Sequence, residues 1–270
     1  MRIDLPAKAP TKHAGLHAVC AGGGPGPMLV FSHALGLDHT MWDEVAAAFA
    51  GAHTTLAYDH RGHGRSPGDV SRGWTLDDLV DDAAALIRAQ ASGPVVFVGL
   101  SMGGMVAQGL AIKYPDLLHA VVLAHTVASY GDAARQAWAQ RIDTVKSAGM
   151  ASVVDAVVAR YLGDEFRTTH PAAASALRAK LLAMDPHAYA ASCLAVSQVD
   201  WLGSLHTVRC PVLVVAGRHD VGAPVAEAQR ITQTLPQAQL EVLEHSAHLS
   251  PVEAPGALIS AIQRFLRGLP

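Results

Sequence analysis

Residues 95–110 read VVFVGLSMGGMVAQGL, an apolar strand-like run that breaks at glycine and serine and resumes as a helix-compatible run. No other stretch restricts the fold so much. Val95, Val96, Phe97 and Val98 suit a strand buried on both faces of a sheet, as in parallel α/β architectures. Gly99-Leu100-Ser101-Met102-Gly103 then has the form G-x-S-x-G. The physics behind that form is crowding. A serine at the tip of a tight strand-to-helix turn has neighbours pressed close, and glycines two residues either side leave room. Such a turn lifts the Ser101 hydroxyl clear of the sheet, with the first N–H groups of the helix aimed at whatever the oxygen attacks. Ordinary glycine-rich turns share the pattern, so its meaning rests on partners elsewhere in the chain.

The surrounding sequence repeats a strand-then-helix rhythm. Strands are predicted at 16–21 and 28–32, joined through GGGPGP at 22–27 as a hairpin whose pairing starts the sheet. A helix over 41–50 with Thr40 as N-cap follows, then a strand over 54–59 and a glycine-rich loop over 60–67. A helix from Thr75 to Ala91, the strand at 95, a helix over 102–113 stopped by Tyr114-Pro115 and a strand over 120–124 continue the pattern. From 129 to 206 the rhythm lapses into alanine-rich helical segments at 133–147, 151–162, 171–184 and 186–196. It resumes with a strand at 211–217, a helix at 224–235, a strand at 239–243 and a helix at 255–269. Alternation of this kind predicts a mostly parallel central sheet with helices on both faces, and ligands collect at the C-terminal ends of its strands. The expected organisation is a core of 1–128 and 207–270 with a helical insertion at 129–206.

Composition supports this and narrows the function. Half of the 270 residues are hydrophobic and 16% are charged, enough apolar material for a core on both faces of a sheet. A net charge of −3 with no Lys/Arg run argues against nucleic acid or an anionic membrane surface as partner. A small-molecule substrate fits better. Cys20, Cys193 and Cys210 lack metal-type spacing, so core thiols are expected instead of a zinc site or disulfide framework. Residues 1–10 hold no apolar run long enough for a signal peptide, and no 18-residue apolar stretch occurs, which predicts a cytoplasmic chain without a membrane span.

A serine hydroxyl needs a base to take its proton, and a histidine base needs a carboxylate to fix its tautomer. The strand ending at Gly217 is followed at once by Asp220, and the next strand is followed by HSAHL at 245–249. Ser101, Asp220 and His248 thus fall just past three predicted strand ends. Asp220 also reads as a turn or cap residue, and His245 is the nearest rival to His248, though closer to its strand. The oxyanion of a tetrahedral intermediate needs two backbone N–H donors. Met102 supplies one, and the loop HALG at 33–36 the other, through Leu35. His33 reads as a structural hydrogen-bonder of that loop.

With these blocks in hand, the chain is identified as a member of the α/β-hydrolase superfamily, in which the order nucleophile, acid, histidine is expected. DHRGHGRS at 59–66, GLSMGG at 99–104, GRHD at 217–220 and AHLS at 247–250 resemble the superfamily's corresponding blocks. A narrower resemblance, to 3-oxoadipate enol-lactonases, is carried by GLSMGGM at 99–105, WAQRIDTVKSAGM at 138–150, YAASC at 189–193 and AHLSPVE at 247–253. Two loops depart from that pattern. SHALG at 32–36 stands where an asparagine-serine start is expected, and Ala124-His125-Thr126 where cysteine-asparagine-threonine is expected. The resemblance implies a helical cap over 129–206, no metal or organic cofactor, and a lactone or ester carrying a carboxylate as substrate. It also implies that Trp138 and Arg141, three residues apart on one helix face, close over the pocket. Without it, Arg141 reads as a solvated charge and Trp138 as packing. Ring-cleavage C–C hydrolases, carboxylesterases, perhydrolases and a ligand receptor on the same fold share the layout.

Overall fold

The computed structural model of the chain describes residues 15–269, which leaves the N-terminal stretch weighed above as a signal peptide outside the described residues. Seven strands form one sheet: β1 (Ala18–Gly22), β2 (Gly26–Ser32), β3 (His53–Tyr58), β4 (Val95–Leu100), β5 (Leu118–Ala124), β6 (Val212–Gly217) and β7 (Ala238–Leu243). Their order is β1-β3-β2-β4-β5-β6-β7. Every neighbouring pair is parallel except β1 with β3. Every residue of β4 and β6 is buried, the reason those runs do not alternate with polar residues. Burying each such Val or Phe side chain stabilises the fold by roughly 1.5–3 kcal/mol.

The expected hairpin does not form, because β3 inserts between β1 and β2. The glycines at 22–27 serve close backbone approach and not a two-strand turn. A Cβ on Gly22, whose φ is +79°, would lie 2.4 Å from His53 O, and one on Gly24 would lie 2.1 Å from the carbonyl carbon of Ala52. The connection therefore runs directly over the main chain that enters β3.

Eleven helices occur among the described residues: α1 (Asp43–Phe49), α2 (Leu76–Gln90), α3 (Met102–Lys113), α4 (Asp132–Ala148), α5 (Val154–Tyr161), α6 (Asp164–Thr169), α7 (Pro171–Leu182), α8 (Pro186–Ser197), α9 (Val225–Thr234), α10 (Ser250–Glu253) and α11 (Pro255–Arg267). The sheet carries helices on both faces, with α1 packed on α11 and α2 on α3. Thr75 and Asp78 cap α2 reciprocally, side chain to backbone in both directions. Ahead of α1 the cap is Asp38, not Thr40. Its carboxylate accepts Thr40 N at 3.0 Å and opens a short 3-10 turn over His39–Trp42. Five helices, α4 to α8, lie in the chain between β5 and β6, α4 packing on α8 and α5 on α7. The short α6 and α10 escape a reading by periodicity because neither spans two turns. No helix of the described residues is long and apolar enough to cross a membrane. Burial pushes the Cys193 thiol up to about 12 and that of Cys210 up to about 11, which leaves both inert as nucleophiles.

Candidate active site

Ser101 stands between β4 and α3 with φ +55° and ψ −112°, a conformation that L-residues seldom adopt. Its turn is as crowded as the spacing of glycines predicts. A Cβ on Gly99 would meet Gly103 O at 2.1 Å, and one on Gly103 would meet Ser32 O at 2.2 Å. The turn is tied to the next strand by Ser101 N donating to Ala124 O at 2.9 Å and Thr126 Oγ1 donating to Ser101 O at 2.8 Å.

Asp220 follows β6 and His248 follows β7, and they meet: His248 Nδ1 donates to Asp220 Oδ2 at 2.8 Å. The carboxylate is buried and fully engaged. Oδ1 accepts Gly222 N at 2.7 Å and Ala223 N at 2.9 Å, and Oδ2 also accepts His125 Nδ1 at 3.2 Å. Burial alone would raise its pKa, but the attraction of His248 and the hydrogen bonds from His125 and His248 outweigh it and hold the carboxyl well below the usual range. With Nδ1 bound to a carboxylate, the proton of neutral His248 sits there and Nε2 is left basic.

Ser101, His248, Leu35, Trp138, Arg141 and Arg160 all line one narrow cavity of about 20 Å³. His245 does not. It is exposed and borders a separate, wider cavity of about 530 Å³, so the loop after β7 offers His248 alone to Asp220. The amides of Leu35 and Met102 have no protein acceptor among the described residues, and both residues flank Ser101, one across the cavity and one along the chain. Two buried histidines build the Leu35 loop. His33 donates from Nδ1 to Ala34 O at 2.8 Å and accepts His60 N at Nε2 at 2.9 Å. His63 donates to Arg61 O and accepts Gly36 N at 3.1 Å. Burial pushes His33 down to about 4 and His63 down to about 3, so both are neutral scaffolding.

Trp138 and Arg141 share one face of α4, the guanidinium carbon 4.8 Å from the centre of the indole. No carboxylate pairs with Arg141 or with Arg160 among the described residues. The lining therefore offers two guanidiniums without a carboxylate partner, and the nearby Asp220 carboxylate is already held by histidines behind it, a setting suited to an anionic group on the ligand.

The α/β hydrolase fold family matches this chain over residues 27–255. The chain belongs to that family. A 3-oxoadipate enol-lactonase of Acinetobacter baylyi is 33% identical over 241 residues, covering 89% of each chain. The enol-lactonase of Burkholderia xenovorans LB400 superposes with a TM-score of 0.89 at 28% identity, covering 97% of this chain and all of that one. A thermophilic esterase of Thermogutta terrifontis, solved with malate bound, gives a TM-score of 0.86 at 27% identity over 99% of both. This α/β hydrolase is thus similar to enzymes that open lactones and esters.

Three residues of the candidate site were not legible as partners in the sequence. Tyr161 stacks on His248 and donates its hydroxyl to Leu35 O at 2.8 Å. Arg160, beside it, donates to Gly222 O at 3.3 Å and borders both cavities. His125 contacts Asp220 across 95 residues of chain. Its place just past a predicted strand end and the departure at Ala124-His125-Thr126 both put His125 near the pocket, but neither named its partner. Two trios, His125-Asp220-His248 and His17-His39-Asp59, bring potential metal-ligating atoms within 4.8 Å of one another among the described residues. In both, a histidine Nδ1 already donates to the carboxylate, which spends the lone pairs a cation would need.

Proposed function

We propose that this hydrolase cleaves a carboxylate-bearing lactone, of the enol-lactone type, through a covalent acyl-enzyme. Ser101 is the nucleophile, His248 the base and Asp220 the group that orients it. Ser101 Oγ attacks the lactone carbonyl carbon while His248 Nε2 takes the hydroxyl proton. The carbonyl oxygen becomes an oxyanion held by the amides of Leu35 and Met102. Collapse breaks the bond to the ring oxygen, which receives the proton from His248 and leaves as an enol that tautomerises to a ketone. Water then gives a proton to His248 and attacks the acyl carbon; the bond from that carbon to Ser101 Oγ breaks as His248 returns the proton to Oγ, releasing a dicarboxylic acid and the free serine. The helices within 129–206 act as a cap over the core of 1–128 and 207–270. From that cap Arg141 holds the substrate carboxylate, and Trp138 walls the cavity against water.

The observation that carries this reading is the meeting of Ser101, His248 and two unpaired guanidiniums in one cavity, with Asp220 behind the histidine. The similarity to enol-lactonases supports the substrate class. Because an enol is a good leaving group, one general base and two oxyanion donors suffice, and no cofactor is needed. Assaying enol-lactones with and without a carboxylate, aryl acetates and ring-cleavage diketones tests it. Preference for the carboxylate-bearing lactone is expected. Equal rates on neutral aryl esters would leave a general esterase, preference for the diketones a C–C hydrolase, and a single acylation without turnover a receptor.

A further inference from the structure

His125 occupies the first position after β5 with φ +49°, the second of two non-glycine residues in that region among the described residues, the other being Ser101. Both stand at C-terminal strand ends of adjacent strands, where a strained conformation turns a side chain toward the site. The imidazole of His125 is fully buried and bonded at both nitrogens. Nδ1 meets Asp220 Oδ2 at 3.2 Å, and Nε2 meets Ser250 Oγ at 2.7 Å. A carboxylate can only accept, so Nδ1 carries the proton. The neutral ring then accepts from the Ser250 hydroxyl, and burial keeps it neutral by pushing its pKa down against the pull of Asp220.

We infer that His125 is a positioning residue for the reaction, fixing the rotation of the Asp220 carboxylate so that Oδ2 stays aimed at His248. This rests on the reading of Ser101, His248 and Asp220 as the catalytic set. The reason is geometric. Oδ1 is tied to the Gly222 and Ala223 amides of Asp220's own loop, whereas the other bond to Oδ2 comes from His248, the very group to be oriented. A carboxylate cannot be positioned by what it positions. His125 supplies an independent reference, anchored by its amide donating to Val215 O at 2.8 Å and by Ser250 at the start of α10. Sharing Oδ2 also lowers the negative charge that Asp220 offers to His248. The other titratable groups around the pair are Tyr130 ahead of α4, Arg141 of α4 across the cavity, Arg160 and Tyr161 of α5, and Glu253 of α10, and all of them are retained in every variant.

The test compares wild type with His125→Ala, His125→Asn and Ser250→Ala, measuring kcat and KM on a turned-over lactone or ester from pH 5 to 9, with thermal melts alongside. Asparagine tolerates positive φ and still presents an N–H donor, whereas alanine does neither. His125→Ala should lower kcat roughly 10- to 100-fold with KM little changed, as loss of one bond to a charged group predicts. Its acid limb should move to higher pH, because the unshared Asp220 carboxylate favours the protonated imidazole opposite. His125→Asn should recover most of the rate and return the limb. Ser250→Ala should move both readouts in the same direction by less, and it stands in if His125→Ala does not fold. A melting temperature that falls while kcat and the limb stay put in the folded variants would overturn the proposal and leave His125 a packing residue. Ser101→Ala and His248→Ala are measured beside them. Activity surviving those two would bring down the catalytic reading itself, while their inactivity together with an unaltered His125→Ala would bring down only this inference.

Discussion

Tyr161 and His248 are stacked, ring centroids 5.1 Å apart and planes 25° from parallel. The same tyrosine donates its hydroxyl to Leu35 O at 2.8 Å, and its own carbonyl accepts Leu249 N at 3.1 Å. One side chain of α5 thereby bridges the loop that carries the proposed oxyanion donor and the loop that carries the proposed base. Tyr161→Phe keeps the stack and removes the bridge to Leu35. A net stability loss of about 1 kcal/mol is expected, with a several-fold fall in kcat as the Leu35 peptide loosens. Unchanged kcat alongside the stability loss would show that the peptide is held without the tyrosine.

Ser101→Ala removes a hydroxyl and no packed volume. Turnover should fall by several orders of magnitude while the circular dichroism spectrum and melting temperature stay as they were. Retention of activity within about tenfold of wild type would reassign the nucleophile.

The two histidines after β7 should separate sharply. His248→Ala should cost nearly as much as loss of Ser101, because such a set acts as a unit, and His245→Ala should be mild. Steady-state assays of both variants decide it, and the reverse ranking would move the base to His245 and demand a different carboxylate.

Arg141→Ala should reduce kcat/KM for a carboxylate-bearing lactone roughly 10- to 150-fold while sparing a neutral aryl acetate, since a hydrogen bond to a charged group is worth about 1.5–3 kcal/mol. Equal losses on both substrates would indicate damage to α4 instead of lost recognition.

His33 and His63 predict an acid-labile fold. An unfolded histidine binds a proton near 6.5, but the buried rings do so only at about 4 and about 3. Below 6.5 the unfolded chain therefore takes up more protons, and stability should fall with pH by up to about 1.4 kcal/mol per unit for each group. Protonation at Nε2 would also break the bonds from the His60 and Gly36 amides. His39 works in the opposite sense: burial disfavours its charge, the bond to Asp59 more than compensates, and the raised pKa lends stability that fades as pH rises through it. Urea midpoints measured between pH 5 and 8 should peak near neutrality. His63→Gln, which still accepts but cannot titrate, should flatten the acid side, and an unaltered slope would remove His63 from the account.

Much of this arrangement was legible because parallel strands leave a one-dimensional trace. Wholly apolar runs such as β4 and β6 mark buried strands, and the residue types just beyond their ends can be read in order, as Ser101, Asp220 and His248 were. What stayed hidden depended on the third dimension. The glycines at 22–27 look the same in sequence whether they turn a hairpin or let the chain pass over Ala52 and His53. Asp38 and Thr40 are both good caps, and only the 3-10 turn over His39–Trp42, which takes in Thr40, shows that Asp38 is used. The contacts from His125 to Asp220 and from Tyr161 to Leu35 join residues 95 and 126 positions apart, beyond the reach of any local pattern.

Gly103 and Ser32 approach so closely that a single added carbon would sit 2.2 Å from the Ser32 carbonyl oxygen. The turn bearing Ser101 and the strand leading to Leu35 are thus fitted main chain to main chain, with no side chain as spacer. The spacing of the two turns is then a property of the peptide skeleton, reached from the cavity wall through the hydroxyl that Tyr161 donates to Leu35 O. On the proposed reading, exchanging Trp138 or Arg141 should change which substrate is held without shifting the turn that bears Ser101, whereas Arg160, bonded to Gly222 O beside Asp220, is tied into the frame.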